Sequence, residues 1–411
     1  MTERQHAGQE ALLAGIRVID AGTWVAGPAA ATVMSDFGAE VIKLESFAGD
    51  PLRQLGEGPN AAPCDHNYFW VLDGRNKRSL AIDLKHADSR PIVDALVSNA
   101  DVLITNFRPA LAGRLGIDWP RLRDLNSRLV YAQVTGYGES GPEADQPGYD
   151  TTAWWSRSGL ADWVRRPGGP PATSAPGMGD HATAMTLFGA IMTALWARER
   201  SGCGRRVTTS LFANGIWSHG MLASMRLCGA ALPERTAETA VANALATQYE
   251  TADERWLQLT LLNEDREWPR LINALEAPQL AEDPRFATLA ARREHAPILH
   301  RLLSELFRDL TARDVRGRLD AADLPAAMLT TLDDLTADQQ ALAADVLTPV
   351  AEPRPGWEHT ISSPLWIDGA GKRAPGYAAR LGEHSDAILE ELGFDAATVA
   401  RLHAEGVIRS G

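Results

Sequence analysis

The sequence predicts an α/β fold, with helices packed on a mostly parallel sheet and a second, smaller domain in the same chain. Three observations carry that reading. Over the first 135 residues, short apolar runs alternate with helix-like stretches, the pattern of strand–helix–strand units. After about residue 215 the chain turns Ala/Arg/Glu-rich and mainly helical. The 411 residues, 45% hydrophobic and 23% charged, supply a buried core for roughly two to three domains.

Taken in order, residues 16–20 (IRVID) read as a buried strand. Pro28 then stands where a helix begins and Gly38 where it ends. Strands follow at 41–45 (VIKLE), 79–84 (SLAIDL), 102–105 (VLIT) and 129–134 (LVYAQV). Ligands of such sheets bind beyond the carboxyl ends of the strands. Residues 161–179 form a Pro/Gly-rich loop, and loops of that length are functional or disordered. Asp180 opens an apolar helix that stops at Gly202, and 207–212 (VTTSLF) reads as a strand. In the second domain, residues 298–310 place Ile and Leu at helical spacing, and 256–261 (WLQLTL) is a lone strand. Residues 353–376 read as a Pro/Gly-rich connection, and 385–392 and 396–403 as two closing helices. The expected divisions are 1–215 for the first part of the large domain, 216–340 for a linker and the small domain, and 341–411 for the return to the large domain.

The formal charge is −13, which argues against a nucleic-acid partner. The polar start (MTERQHAGQE) lacks signal-peptide order, and no apolar run reaches the ~18 residues of a membrane span. A cytoplasmic protein without a membrane partner is the expectation. Cys64, Cys203 and Cys228 have no metal-ligand spacing and read as reduced and structural. Of only four lysines, Lys43, Lys77 and Lys85 fall in one early segment with Arg75 and Arg78. That segment reads either as a positive region for an anionic ligand or as a solvated face.

Several chemistries fail on spacing. The first strand is followed by AGTWVAGP rather than a dinucleotide glycine fingerprint, and DGAGKR at 368–373 lacks the phosphate-loop spacing. There is no H-E-x-x-H, no cysteine pair and no G-x-S-x-G, so metal and serine catalysis are not expected. Asp180 reads first as a helix N-cap, a reading compatible with a carboxylate nucleophile kept ionised by the helix dipole beneath a Gly/Pro loop. Tyr149-Asp150 reads as loop packing, and Trp154 and Trp155 either as core or as an aromatic wall for an apolar acyl group.

These segments carry a resemblance over nearly the whole chain. The motifs are LLAGIRVIDAGTWVAGPAAATVMSDFGAEVIKLES, GDPLR (49–53), NKRSLAIDLK (76–85), ADVLITNFRP (100–109) and GRLGID (113–118). TGYGESGP (135–142), GYD (148–150), GMGD (177–180), ERSGCGRRVTTSL (199–211), DPRF (283–286) and APGYAARLGEHSDAIL (374–389) follow in order. The chain resembles the family III CoA-transferases, the group of carnitine and formyl-CoA transferases that also holds α-methylacyl-CoA racemase. The resemblance implies a Rossmann-like large domain made from the N-terminal and returning C-terminal segments. It also implies a smaller inserted α+β domain and an interlocked homodimer. No permanently bound cofactor is implied; coenzyme A and acyl-CoA are substrates, with organic acids.

The family's catalytic aspartate falls on Asp180, which would form aspartyl anhydride and aspartyl-CoA thioester intermediates. CoA contacts carry over to Trp24, Val25, Ala26, Asn106, Phe107, Arg114 and Tyr137, with Lys43, Arg75 and Arg78 as further cations. Tyr149, Trp154, Trp155 and Gly179 fall in the substrate pocket. Departures narrow the activity. Val25, Ser46 and Thr135 replace the Gln, Arg and Lys of formyl-CoA transferase, and that enzyme's glycine run is absent. Oxalate and formate are therefore poor expectations, while TTAWWSRSGLADW points to a bulky or aromatic acid. Racemases have His at the position of Tyr149, and a phenol with pKa near ~10 is a poor proton shuttle at neutral pH. A racemase and a catalytically silent CoA-binding protein remain the alternatives. His181, next to Asp180, is expected to point elsewhere.

Overall fold

A computed structural model describes residues 11–56, 61–231 and 241–411. It divides into two compact units, residues 1–164, 172–228 and 340–411 in one, and 165–171 with 229–339 in the other.

The larger unit is built on a seven-stranded sheet. Its strands are β1 (Arg17–Asp20), β2 (Glu40–Glu45), β3 (Lys77–Ile82), β4 (Val102–Thr105), β5 (Val130–Thr135) and β6 (Arg206–Ser210), with a short strand at Ile408–Arg409 on one edge. The six run parallel in the order β3-β2-β1-β4-β5-β6, and the edge strand pairs antiparallel with β3 through Ile408↔Ile82. This is the doubly wound order, whose switch point lies between β1 and β4.

Alternation along each strand feeds two cores. Ile19 and Leu103 face one side with Leu80, Ile92 and Ile388. Val18, Val102 and Ile104 face the other with Ala30, Met34, Leu187 and Ile191. The helix Ala26–Asp36 is buried along its whole length, and its alanines let it pack closely against the long helix Met178–Ser201.

The smaller unit has its own core. A three-stranded antiparallel sheet, β7 (Gln248–Glu250), β8 (Trp256–Leu259) and β9 (Ala326–Met328), packs Leu257 and Leu259 against Trp268, Phe286, Leu303 and Phe307.

The structure departs from the sequence expectation in five places. The strand expected alone at 256–261 is the centre of a three-stranded sheet, its short neighbours β7 and β9 being three residues each. The units divide after Cys228, not at 215, because the helix Leu211–Ser218 is tied to the first unit. Its Asn214 accepts from Thr186 at 2.6 Å and donates to the Ser210 carbonyl at 2.8 Å. The expected connection at 353–376 contains part of a hairpin, β10 (Leu347–Arg354) with β11 (Trp357–Ile361). Prolines at 349 and 353 mask that strand, whose register slips between Pro349 and Arg354. Residues 160–164 are helical rather than loop. The three cysteines are free and exposed, so none fills the core. Among the described residues, no helix is long and apolar enough to cross a membrane.

Candidate active site

The switch point is held by buried charge. Asp20, the last residue of β1, accepts from Lys77 Nζ at 2.8 Å and from the Gly22 amide at 3.1 Å. Lys43 Nζ lies 2.9 Å from Asp50 and donates to the Gly22 carbonyl at 2.6 Å. Burial works against its charge, but Asp20, Asp50 and Glu45 hold the ammonium above its ordinary range. The turn after β1 is pinned on its other side by Asn106. That side chain accepts from the Thr23 amide at 2.9 Å and donates to the Thr23 carbonyl at 2.7 Å. Trp24, whose amide donates to Asp50, takes φ +62°. A tryptophan in the left-handed region is a strained conformation that only such over-determination maintains.

The expected ligand residues therefore fall into two groups. Trp24, Val25, Ala26, Asn106 and Phe107 lie together at the carboxyl ends of β1 and β4, where a doubly wound sheet binds ligands. Arg114 is exposed on the helix that follows Phe107, with no ion pair among the described residues. Tyr137 follows the end of β5. The cation cluster is different. Lys43 is 1% exposed and spent on two carboxylates. Arg75 is buried in a two-pronged pair with Asp36, at 3.1 and 2.7 Å. Arg78 pairs with Glu391 at 2.7 and 2.8 Å. These three do not offer free charge to an anion. Lys43 and Arg75 fix the scaffold from within, and Arg78 ties a surface carboxylate remote in sequence.

Asp180 enters from the long helix. Because that helix precedes a strand parallel to its neighbours, its N-terminus lies at the carboxyl end of the sheet. The helix begins one turn earlier than expected: Gly177 is the cap, with φ +76°, and Asp180 is in the first turn rather than capping it. Gly179 is buried against Trp154, and a Cβ there would lie 2.5 Å from the indole Cγ. Trp154 is 5% exposed and thus a floor under the helix rather than an open wall. Trp155 stacks on it at 6.0 Å and donates through its indole N–H to the Ala172 carbonyl at 2.8 Å. Tyr149 is exposed and meets Trp24 edge-on at 6.1 Å, which joins the expected acyl and CoA sets.

Tyr149 leads into a π-helical turn, Asp150–Ser156, a form that recurs at functional sites. Asp150 is 7% exposed, and its Oδ2 has no hydrogen-bond partner. Burial, then the charge of Asp150 and that of Asp73, push the Asp180 carboxyl up to about 7, with His181 acting the other way. The helix dipole does not keep it fully ionised, contrary to the sequence expectation. His181 does turn from Asp180, toward Asp73, with Nε2 3.3 Å from the carboxylate. Asp73, at the end of the short helix Tyr68–Asp73, carried no signal in the sequence. Asp180 is thus a raised carboxyl beside a second buried carboxylate at a helix terminus, the kind of group that makes a candidate reaction centre.

Comparison with known proteins identifies the family. The model of CoA-transferase family III matches residues 13–385. Over 400 residues the chain is 30% identical to the (R)-2-hydroxy-4-methylpentanoate CoA-transferase of Clostridioides difficile, covering 97% of this chain and 100% of that one. It is 29% identical over 400 residues to the cinnamoyl-CoA:phenyllactate CoA-transferase of Clostridium sporogenes, covering 96% of each. Among solved structures, a CAIB/BAIF family protein from Brucella suis superposes with a TM-score of 0.82 at 28% identity, covering 93% of this chain and 100% of that one. By fold, by length of match and by the activity its relatives are named for, this chain belongs to CoA-transferase family III and is a CoA-transferase.

Proposed function

We propose that this enzyme moves CoA from a donor acyl-CoA to an acceptor organic acid through covalent intermediates on Asp180. The observation that carries the reading is the Asp180 carboxyl in the first turn of the long helix, pushed up to about 7 next to Asp150. At neutral pH a large fraction is ionised, and it is a stronger nucleophile than a carboxylate at its ordinary value.

An Asp180 oxygen attacks the thioester carbonyl, the C–S bond breaks, and CoA thiolate leaves a mixed anhydride. The thiolate attacks the aspartyl carbonyl and expels the donor's carboxylate, which gives an aspartyl-CoA thioester. The acceptor carboxylate attacks that carbonyl and frees thiolate again. The thiolate then attacks the acceptor's acyl carbon and restores Asp180. No net proton or phosphate is consumed. Each intermediate hydrolyses easily, so water must be kept out.

CoA lies along the strained turn at Trp24, Val25 and Ala26, with Asn106, Phe107 and Tyr137 beside it and Arg114 on a phosphate. The acyl group lies by Tyr149, Trp155 and Gly179. A bulky or aromatic acid fits this rim, and the named relatives act on a branched and on an aromatic 2-hydroxy acid. The enzyme works as a homodimer in the cytoplasm. The dimer is supported by an apolar surface with Trp217, Met221 and Leu227 each more than four-fifths exposed. Sedimentation of a monomer at micromolar concentration would reject the dimer.

The test is intact-protein mass spectrometry with a panel of branched and aromatic acyl-CoAs and hydroxylamine as trap. A hydroxamate on Asp180 is expected, lost in Asp180→Ala while CoA binding persists. Deuterium entering the α-carbon without any adduct would instead identify a racemase.

A further inference from the structure

We propose that His181 is a positioning residue of this site. It is a doubly protonated imidazolium, clamped between Asp73 and Gly177, that fixes the first turn of the long helix and supplies the positive charge beside Asp180. The inference rests on the transferase reading only for its effect on rate; the clamp itself is independent of it.

The geometry sets the protonation state. Nδ1 lies 3.1 Å from the Gly177 carbonyl, and Nε2 lies 3.3 Å from both oxygens of Asp73. Both partners are acceptors. A neutral imidazole has one donor and one acceptor nitrogen, so it would turn a lone pair against one of these oxygens; only the imidazolium donates to both. Asp73 is 5% exposed, and its carboxylate makes no other hydrogen bond among the described residues. A buried carboxylate with a single hydrogen-bonding partner is costly unless that partner is a cation.

The clamp also ties three segments together. Thr32, from the helix Ala26–Asp36, donates to the Asp73 carbonyl at 2.6 Å and so places the end of the short helix. Asp73 then holds the ring, and the ring holds the cap of the helix that carries Asp180.

The charged groups around the pair come from every neighbouring element. Asp180 is faced by Asp150 from the π-helical turn and by Asp73 from the short helix, with His181 as the nearby cation. Asp73 also faces Lys77 of β3, which is committed to Asp20 at 2.8 Å. Burial pushes the ring of His181 down, yet the Asp73 hydrogen bond and the charges of Asp73 and Asp180 hold it above its ordinary range, in accord with the clamp. If the ring lost its proton, three aspartates would share the site with no compensating charge from His181.

The test has two arms. Diethyl pyrocarbonate acylates only neutral imidazole, and His181 is 45% exposed at its side chain. Peptide mapping of its modification against pH should show His181 protected at neutral pH in the wild type. Asp73→Asn should react faster by roughly tenfold. In the second arm, His181→Gln should shift the acidic limb of the kcat/KM profile upward by about one pH unit. His181→Lys, which keeps a charge, should leave the limb near its wild-type place.

Ready modification of wild-type His181 at neutral pH, unchanged in Asp73→Asn, would overturn the clamp. A uniform fall in rate in His181→Gln with the limb unmoved would overturn the electrostatic role. Absence of CoA transfer by the wild type would remove the transferase reading instead, and the modification arm would still decide the clamp.

Discussion

At the residue scale, the proposed chemistry turns on one carboxyl that the fold holds against its preference. The Asp180 group titrates near 3.8 in ordinary surroundings and about 7 here, so the folded state favours its protonated form. The resulting destabilisation is absent below about pH 4, grows as the pH rises and is complete above about 7. Asp180→Asn should therefore be more stable than the wild type at alkaline pH, by about 2 kcal/mol once partial solvent contact is discounted. Thermal melts at about pH 5 and pH 8 check this, and a gap that does not widen with pH rejects it. Wild-type transfer should rise through about pH 7 as the proposed nucleophile ionises. Lys43 behaves oppositely: Lys43→Met leaves buried Asp50 without its cation and Asp20 with Lys77 alone, and should cost about 3–5 kcal/mol by urea titration. In the sequence, only the resemblance assigns Asp180 the nucleophile's role, since a carboxylate at a helix start looks like a cap. Sequence reasoning misjudged Lys43 and Arg75 because composition counts charges without their partners, and Asp36 lies 39 residues from Arg75.

At the element scale, the parallel strands were legible because buried β-branched runs between helical stretches have few alternatives. The π-helical turn was not, since its residues carry no period distinct from an ordinary helix or loop. The hairpin β10–β11 was hidden by its prolines. The start of the long helix shifted by one turn, and that shift places Gly179 face down on Trp154. Gly179→Ala should consequently cost about 1–3 kcal/mol through overpacking. It should also lower kcat far more than it weakens CoA binding, because the displaced turn carries Asp180. Steady-state kinetics paired with CoA titration separate the two, and an unchanged kcat would show that the indole floor does not position the nucleophile.

At the scale of the whole molecule, two units each carry a hydrophobic core. Calorimetry should resolve two components, with CoA raising the one that belongs to the larger unit; a single component shifted as a whole would contradict this. The presence of a second domain was legible in the change of composition. Its first boundary lies after Cys228 rather than at 215, because helix ties such as Asn214 to Thr186 depend on contacts across 28 residues; the second, after Gln339, lies one residue from the expected one.

The edge strand at Ile408–Arg409 has a consequence in time rather than in space. β3 leaves the ribosome more than three hundred residues before the strand that caps it. At ordinary elongation rates, the open flank of β3 waits on the order of tens of seconds for its partner. During that interval the smaller unit is synthesised in full. An unpaired edge is a template for mispairing. Yield of this enzyme in a cell is therefore tied to translation speed and chaperone supply, apart from how stable the finished protein is.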